Sequence, residues 1–266
     1  MAVAPILVAG AGRMGGAIIA GWRLTDAYAA SELIIRDPSP GDAAVSAVAA
    51  GARLNPGDEV VARAATIVLA VKPQAWRSAA AELAPLIAPD AMVISVIAGI
   101  SVRDLSGVFG DRTLARVMPT TAAAIGKGTA SVFAPSPEGR RRARALFEPL
   151  GVVVDLAAED LMHAATAASG SAPAYLYAFV EALQSAGVAA GLAPHAAAGL
   201  ARSTIAGAAA LLDQTNEDPA ELRRQVTSPG GTTQAGLEIL MGPAGLPGLL
   251  ERAVAAAAAR SRELGA

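Results

Sequence analysis

Three short runs carry residues whose types and spacing could hold a phosphate, a carboxylate and a reacting carbon. The first, Gly10-Ala11-Gly12-Arg13-Met14-Gly15, fits the pattern GxGxxG. It follows the apolar run Ile6–Ala9 and opens a helical pattern in which Ile18, Ile19 and Trp22 share a face. In that setting Gly10 permits the tight turn, Gly12 lets main chain approach a pyrophosphate, and Gly15 lets the helix pack close to the strand. The helix N-terminus favours the phosphate charge, and Ala11, Arg13 and Met14 complete the same candidate site. About twenty residues on, a second strand ends at Ile35-Arg36-Asp37, where such folds read the adenosine ribose. Asp37 suits a free 2′-hydroxyl and hence NAD; Arg36 suits a 2′-phosphate and hence NADP. A guanidinium grips phosphate with two prongs whereas a facing carboxylate is repelled. NADP(H) is therefore the expected coenzyme, with NAD(H) as the alternative and Asp37 turned to solvent or capping the next segment.

The second run is Ala70-Val71-Lys72-Pro73. Lys72 is one of two lysines, with Lys127, in a chain that otherwise uses arginine. Just beyond a strand, it stands at the carboxyl edge of the sheet, where ligands of these folds bind. The third run, Ser228-Pro229-Gly230-Gly231-Thr232-Thr233, precedes an apolar helical pattern. Its glycines make backbone amides reachable and its threonine hydroxyls can cap the helix or meet a ligand, so it can hold a carboxylate. A capped helix after a turn accounts for the same residues. A second helix start, Ser169-Gly170-Ser171-Ala172-Pro173-Ala174-Tyr175, has the same two readings.

The elements that must position these runs follow from periodicity. Strands are expected at Ile6–Ala9, Leu33–Ile35, Thr66–Val71, Met92–Val96, Leu114–Val117, Ser131–Ala134 and Val152–Leu156, with helices after the glycine turn, at Pro40–Ala50 and at Trp76–Leu86. Alternation of this kind indicates βαβ units and a parallel sheet. After about Ala158 the pattern turns helical: Leu161–Ala168, Pro173–Ala190, Pro194–Asp213, Pro219–Val226, Thr232–Met241 and Leu246–Leu264. Proline early in several fits, because the first turn does not need its N–H. The expected fold is an α/β Rossmann-like dinucleotide-binding domain over 1–158 followed by an all-α dimerisation and substrate domain over 159–266.

The bulk properties narrow the function. A length of 266 residues leaves room for two domains, and 53% hydrophobic content with 3% aromatics gives a core of small aliphatics that lets helices approach closely. A net charge of -2 argues against a nucleic-acid partner. There are no cysteines and only His163 and His195, so no metal site is expected. The first basic residue is Arg13, no basic region precedes an apolar run, and a cytoplasmic location is expected. Leu183–Ala201 lacks Asp, Glu, Lys and Arg, but Gln184, Gly191, Pro194 and His195 interrupt it. It reads as two buried helices meeting at a turn rather than a membrane span. Arg140, Arg141, Arg142 and Arg144 read as a solvated helix face.

The glycine turn, the Ala70–Pro73 run, the two helix starts and the overall length resemble pyrroline-5-carboxylate reductase over nearly the whole chain. The most specific element is the Ser228–Thr233 stretch together with Ala165-Thr166 through Tyr175. The resemblance implies reduction of 1-pyrroline-5-carboxylate to L-proline with NAD(P)H by homodimers that assemble further, often into decamers. It also implies that Ser228, Gly230, Gly231, Thr232 and Thr233 hold the substrate, with Thr233 on the ring nitrogen, and that Glu159, Thr166 and Ser171 lie near it. Ala70, Val71, Lys72, Pro73 and Ala98 would line the nicotinamide side. Two departures bear on substrate choice. Met118-Pro119-Thr120-Thr121-Ala122 stands where the family usually reads MPNTP, and Ala172 replaces a glycine. A reductase of another cyclic imine is one alternative, and a non-catalytic NADP-sensing dimer is another. A 3-hydroxyacid dehydrogenase of similar build would need a lysine in the helical domain, and none follows Lys127. A helix histidine such as His163 is more often structural than catalytic, and the hydride transfer needs neither histidine.

Overall fold

Short β-branched and aliphatic runs become strands whose alternate residues feed two cores. The computed structural model describes residues 3–264. Its strands are β1 (Ile6–Ala9), β2 (Leu33–Arg36), β3 (Arg53–Leu54), β4 (Thr66–Leu69), β5 (Met92–Ser95), β6 (Leu114–Pro119), β7 (Gly128–Phe133) and β8 (Gly151–Asp155). They form one sheet in the order β3-β2-β1-β4-β5-β6-β7-β8. In β1, Ile6 and Val8 enter one core with Ile18, Ile19 and Trp22, while Leu7 and Ala9 enter the other with Ile67, Leu69, Trp76 and Phe109. That sorting is the period of two of an extended chain covered on both faces.

Register brings the strand ends level. Ala9 pairs with Arg36 on one side and Leu69 on the other, and Leu69 pairs in turn with Ser95. The glycine turn, the Arg36-Asp37 pair, the Ala70–Pro73 run and Ala98 therefore all leave the sheet at one carboxyl edge. The helices between these strands are α1 (Arg13–Leu24), α2 (Asp42–Ala49), α3 (Asp58–Val61), α4 (Trp76–Leu83) and α5 (Val102–Phe109). Chain order reverses between β1 and β4, the crevice where open α/β sheets bind ligands.

The sheet differs from the expected parallel one at β7, which runs antiparallel to β6. Only the turn of 3₁₀ helix Thr121–Ile125 separates the two strands, and a parallel crossover needs a dozen residues or more. β8 then returns parallel to β7 through α6 (Pro137–Phe147). Helix α5 is not among the expected helices, although Val102, Leu105 and Phe109 stand at helical spacing and face the second core. A second signal is the capping box in which Ser101 Oγ accepts from Asp104 N while Asp104 accepts from Ser101 N.

The chain divides into two compact units, one running to Gly170 and resuming at Ala257, the other Ser171–Ala256. The change of character read at residue 158 precedes the spatial division. Between them lie α7 (Leu161–Ala165) and a π turn, Thr166–Gly170, whose Met162 and Ala167 are buried in the first unit. The second unit holds α8 (Ala172–Ala189), α9 (Pro194–Thr215), α10 (Pro219–Gln225), α11 (Thr232–Leu240) and the start of α12 (Leu246–Glu263). Gly191, at φ +102°, turns α8 into α9, and a Cβ on Gly187 would stand 3.4 Å from that of Ala197. The uncharged stretch 183–201 is thus a tight helical hairpin, but not a buried one in a single chain, where only Ala197 and Ala201 of it are buried. Among the described residues no helix is long and apolar enough to cross a membrane, and no cluster of His, Cys, Asp and Glu could hold a metal.

Within the first unit α12 is tied to α7 by His163, whose Nδ1 lies 3.0 Å from Ser261 Oγ. Burial first, then the Arg116 and Arg262 guanidinia, hold the imidazole below its ordinary value of 6.5, against smaller opposite pulls from Asp160 and Glu159. As pH falls through 6.5 the unfolded chain takes the proton first, so stability is present above that pH and is lost on acidification. Melting temperature is expected to fall from pH 7 toward pH 5 more steeply in wild type than in His163→Gln. Equal slopes would remove His163 as the source.

Candidate active site

The glycine turn is built by two close approaches. Gly10 sits at φ +92°, and a Cβ there would lie 2.7 Å from the Ala70 carbonyl oxygen. A Cβ on Gly15 would lie 1.9 Å from the Gly10 carbonyl oxygen and 3.3 Å from Ala70 Cβ. Those contacts press α1 onto β1 and β4. Gly12, the N-cap of α1, has nothing within 4 Å of where its Cβ would be, and no side chain caps the helix. Open space over uncapped amides fits an anion. Ala11 is buried, Met14 packs partly into the first core, and Arg13 is exposed at the first turn of α1.

Beside this turn a cleft of about 420 Å³ is lined by Ala9, Arg36, Asp37, Asn55, Val71 and Glu82, among others. Asp37 is not turned to solvent. Its Oδ2 accepts from Ala11 N at 2.6 Å and its Oδ1 from Ser39 N at 2.7 Å, so it fixes the turn. Asn55, at φ +45°, clamps the Asp37 main chain from both sides: its Oδ1 accepts from Asp37 N and its Nδ2 donates to Asp37 O. Arg36 donates to Asp58 Oδ1 at 2.6 Å. Sequence reasoning missed Asn55, Asp58 and Glu82; the turn signal Asn55-Pro56-Gly57 was the available clue to the first. Val71 lines this cleft, Lys72 is exposed, and Pro73 starts a turn of 3₁₀ helix leading to α4. Ala98 is half-buried beyond β5, next to Gly99 at φ +84°.

On the same unit, Glu159 has a tethering job. Its Oε1 accepts from Val102 N at 2.7 Å and from Arg116 Nη1 at 2.9 Å, pinning the start of α5 and pairing a guanidinium only 4% exposed. Thr166 Oγ1 donates back to the Met162 carbonyl and opens the π turn, a form that often marks functional sites. Thr120, the departure from the family asparagine, is buried, and its hydroxyl accepts from Thr129 N at 3.0 Å. One acceptor site of the hydroxyl is therefore committed to β7.

On the second unit, Gly230 sits at φ +69° and Gly231 is the N-cap of α11, again with no side-chain cap. Gly230 N donates to Gln234 Oε1, and Gly231 N to Ser228 O. Ser228, Thr232 and Thr233 are exposed at this tip. Ser171 begins α8 and accepts from Ala174 N through its carbonyl.

Residues 159–264 match the family model described as pyrroline-5-carboxylate reductase dimerisation, and residues 5–99 match one described as NADP oxidoreductase coenzyme F420-dependent. The pyrroline-5-carboxylate reductase of a Synechocystis strain is 37% identical over 262 residues, covering 97% of this chain and 97% of that one. The chain belongs to the pyrroline-5-carboxylate reductase family. Members catalyse the last step of proline biosynthesis, and this chain is an oxidoreductase of that kind. Two solved structures are also similar. A pyrroline-5-carboxylate reductase from Coxiella burnetii has TM-score 0.90 at 28% identity, covering 100% of both chains. The Plasmodium falciparum pyrroline carboxylate reductase, solved with NADP bound, has TM-score 0.83 at 26% identity, covering 98% of each.

Two outcomes follow from this geometry. Gly15→Ala forces Cβ into the Gly10 carbonyl and should cost about 2 kcal/mol or more in urea unfolding, whereas Gly12→Ala should leave stability unchanged while weakening coenzyme binding. Glu159→Ala strands a buried guanidinium and should cost roughly 2–4 kcal/mol in the same measurement, with Glu159→Gln losing less.

Proposed function

We propose that the chain reduces 1-pyrroline-5-carboxylate to L-proline with NADP(H), the coenzyme on the strand ends of the first unit and the substrate carboxylate on the Ser228–Thr233 turn of the second. The observation that supports this reading best is that a chain of the reductase family carries two runs of glycine at helix starts without a side-chain cap on the N-cap residue: Gly10–Gly15 at α1 and Gly230–Gly231 at α11.

When bound, NADP(H) supplies the hydride that adds to the carbon of the ring's C=N bond, and a proton on nitrogen completes the amine. The protein's own work is to bind, orient and exclude water. The main chain from Gly12 to Gly15 and the α1 dipole take the pyrophosphate, the Gly10 and Ala11 amides being held by Arg36 and Asp37, and Arg36 takes the 2′-phosphate. Ala70, Lys72, Pro73 and Ala98 line the nicotinamide side, while Val71, expected there too, lines the cleft with Arg36 and Asp37 on the adenosine side. Thr232 and Thr233 offer amides to the carboxylate with Ser228 beside them, the Gly230 and Gly231 amides being held by Gln234 and Ser228, and Thr233 Oγ1 accepts from the protonated ring nitrogen. Glu159, Thr166 and Ser171 shape the surroundings. A protonated imine is already electrophilic, so no strong acid is required, and His163 is engaged with Ser261.

The working form is a homodimer. Leu176, Tyr177, Leu200 and Ile239 are all exposed in a single chain, in the region that the matching family model describes as dimerisation, and exposed large apolar residues of this kind suit a subunit interface.

The test is a matrix of NADPH and NADH against pyrroline-5-carboxylate and its six-membered homologue. Steady NADPH consumption with the five-membered ring is expected. Preference for the larger ring would move the substrate, and coenzyme binding without turnover would make the chain a sensor. Thr233→Val should preserve coenzyme binding and lower kcat/KM by about 5- to 150-fold, the loss of about 1–3 kcal/mol of transition-state binding. Unchanged turnover would remove Thr233 from the reaction.

A further inference from the structure

The ribose end of the cleft contains an ion pair that hydride transfer does not use. Arg36, with its side chain 27% exposed, donates from Nη2 to Oδ1 of Asp58, which is 65% exposed, and more weakly to the Pro56 carbonyl at 3.5 Å. Its neighbour Asp37 is held by two main-chain amides, and its own main chain is held by Asn55. The two residues that face a ribose are therefore restrained unequally. Moving Asp37 breaks the glycine turn's anchor, whereas moving Arg36 breaks one surface ion pair, and such pairs are weak. Of the two, Arg36 is the group that can be released to a ligand.

We infer that Asp58 sets the coenzyme preference by competing with the 2′-phosphate for Arg36. The inference rests on the reading of this cleft as the dinucleotide site. A ligand bearing a 2′-phosphate must take the guanidinium from Asp58, and the released carboxylate then stands near the phosphate as a like charge. A ligand with a free 2′-hydroxyl makes neither demand and leaves the pair in place. Asp58 thus penalises NADPH and is silent toward NADH. The repulsive part is screened beyond about 8 Å at physiological salt, so displacement of the pair carries most of the effect. Asp58 opens the four-residue helix α3, where Gly57 is the N-cap and no side-chain capping bond involves Asp58, so Asn or Ala can replace it without undoing the helix start.

The experiment measures binding to the full chain without substrate. NADPH and NADH are followed by fluorescence titration, and adenosine 2′,5′-bisphosphate and adenosine 5′-monophosphate by calorimetry. Asp58→Asn and Asp58→Ala should tighten both 2′-phosphorylated ligands about two- to fivefold, the span of an exposed ion pair, and leave NADH and the monophosphate unchanged. Adding Arg36→Met should abolish that gain. Equal tightening of all ligands, no change in either variant, or a gain that survives Arg36→Met overturns the competition alone. If neither coenzyme binds wild type, the dinucleotide reading falls and this inference falls with it.

Discussion

The distance between α1 and the sheet is set where two glycines meet. With hydrogen in place of a side chain at Gly15, the Gly10 carbonyl oxygen can lie 1.9 Å from where a Cβ would stand, well inside van der Waals contact, and the Ala70 main chain closes on Gly10 from the next strand. That closeness lets the start of α1 sit level with the ends of β1 and β4. The level ends in turn let Arg36, Val71 and Asn55 line one cleft. Loosen the contact and the amides at Gly12 no longer share an edge with the groups that surround them.

A second set of constraints is electrostatic. Asp37 is anchored by Ala11 and Ser39 amides, and Glu159 joins Val102 and Arg116 through a single oxygen. Each carboxylate ties a segment from one strand's end to a segment from another's. In the second unit the balance differs. α8 and α11 have no buried residue within one chain, so their order depends on apolar surface that a single copy leaves exposed.

Much of the first unit was legible because its signals are local. β1, β2 and the glycine turn read directly from a run of aliphatics closed by GxGxxG, and the helices from residue 161 on were outlined by proline starts and apolar periodicity. The reversal at β7 was not legible, since strand direction depends on the length of the Thr121–Ile125 connection rather than on the residues of the strand. Side-chain commitments were hidden for a similar reason. Nothing local says that Arg36 reaches Asp58 across twenty-two positions, or that Glu159 reaches Val102 across fifty-seven. Thr120 is the clearest case: its type marked only a departure from the family asparagine, and its partner Thr129 is visible only once β7 has folded back.

The cradle at Gly10–Gly15 and the tip at Gly230–Thr232 offer peptide groups rather than functional side chains. Peptide groups are the same in every residue, so at an exposed position such as Arg13 the identity of the residue is free to change while the surface presented to a ligand is not. Drift in spelling without drift in recognition is the evolutionary freedom of a pocket made from main chain. Lineages of this fold would then record their divergence in everything except the glycines and the few charges that keep the peptide planes aimed.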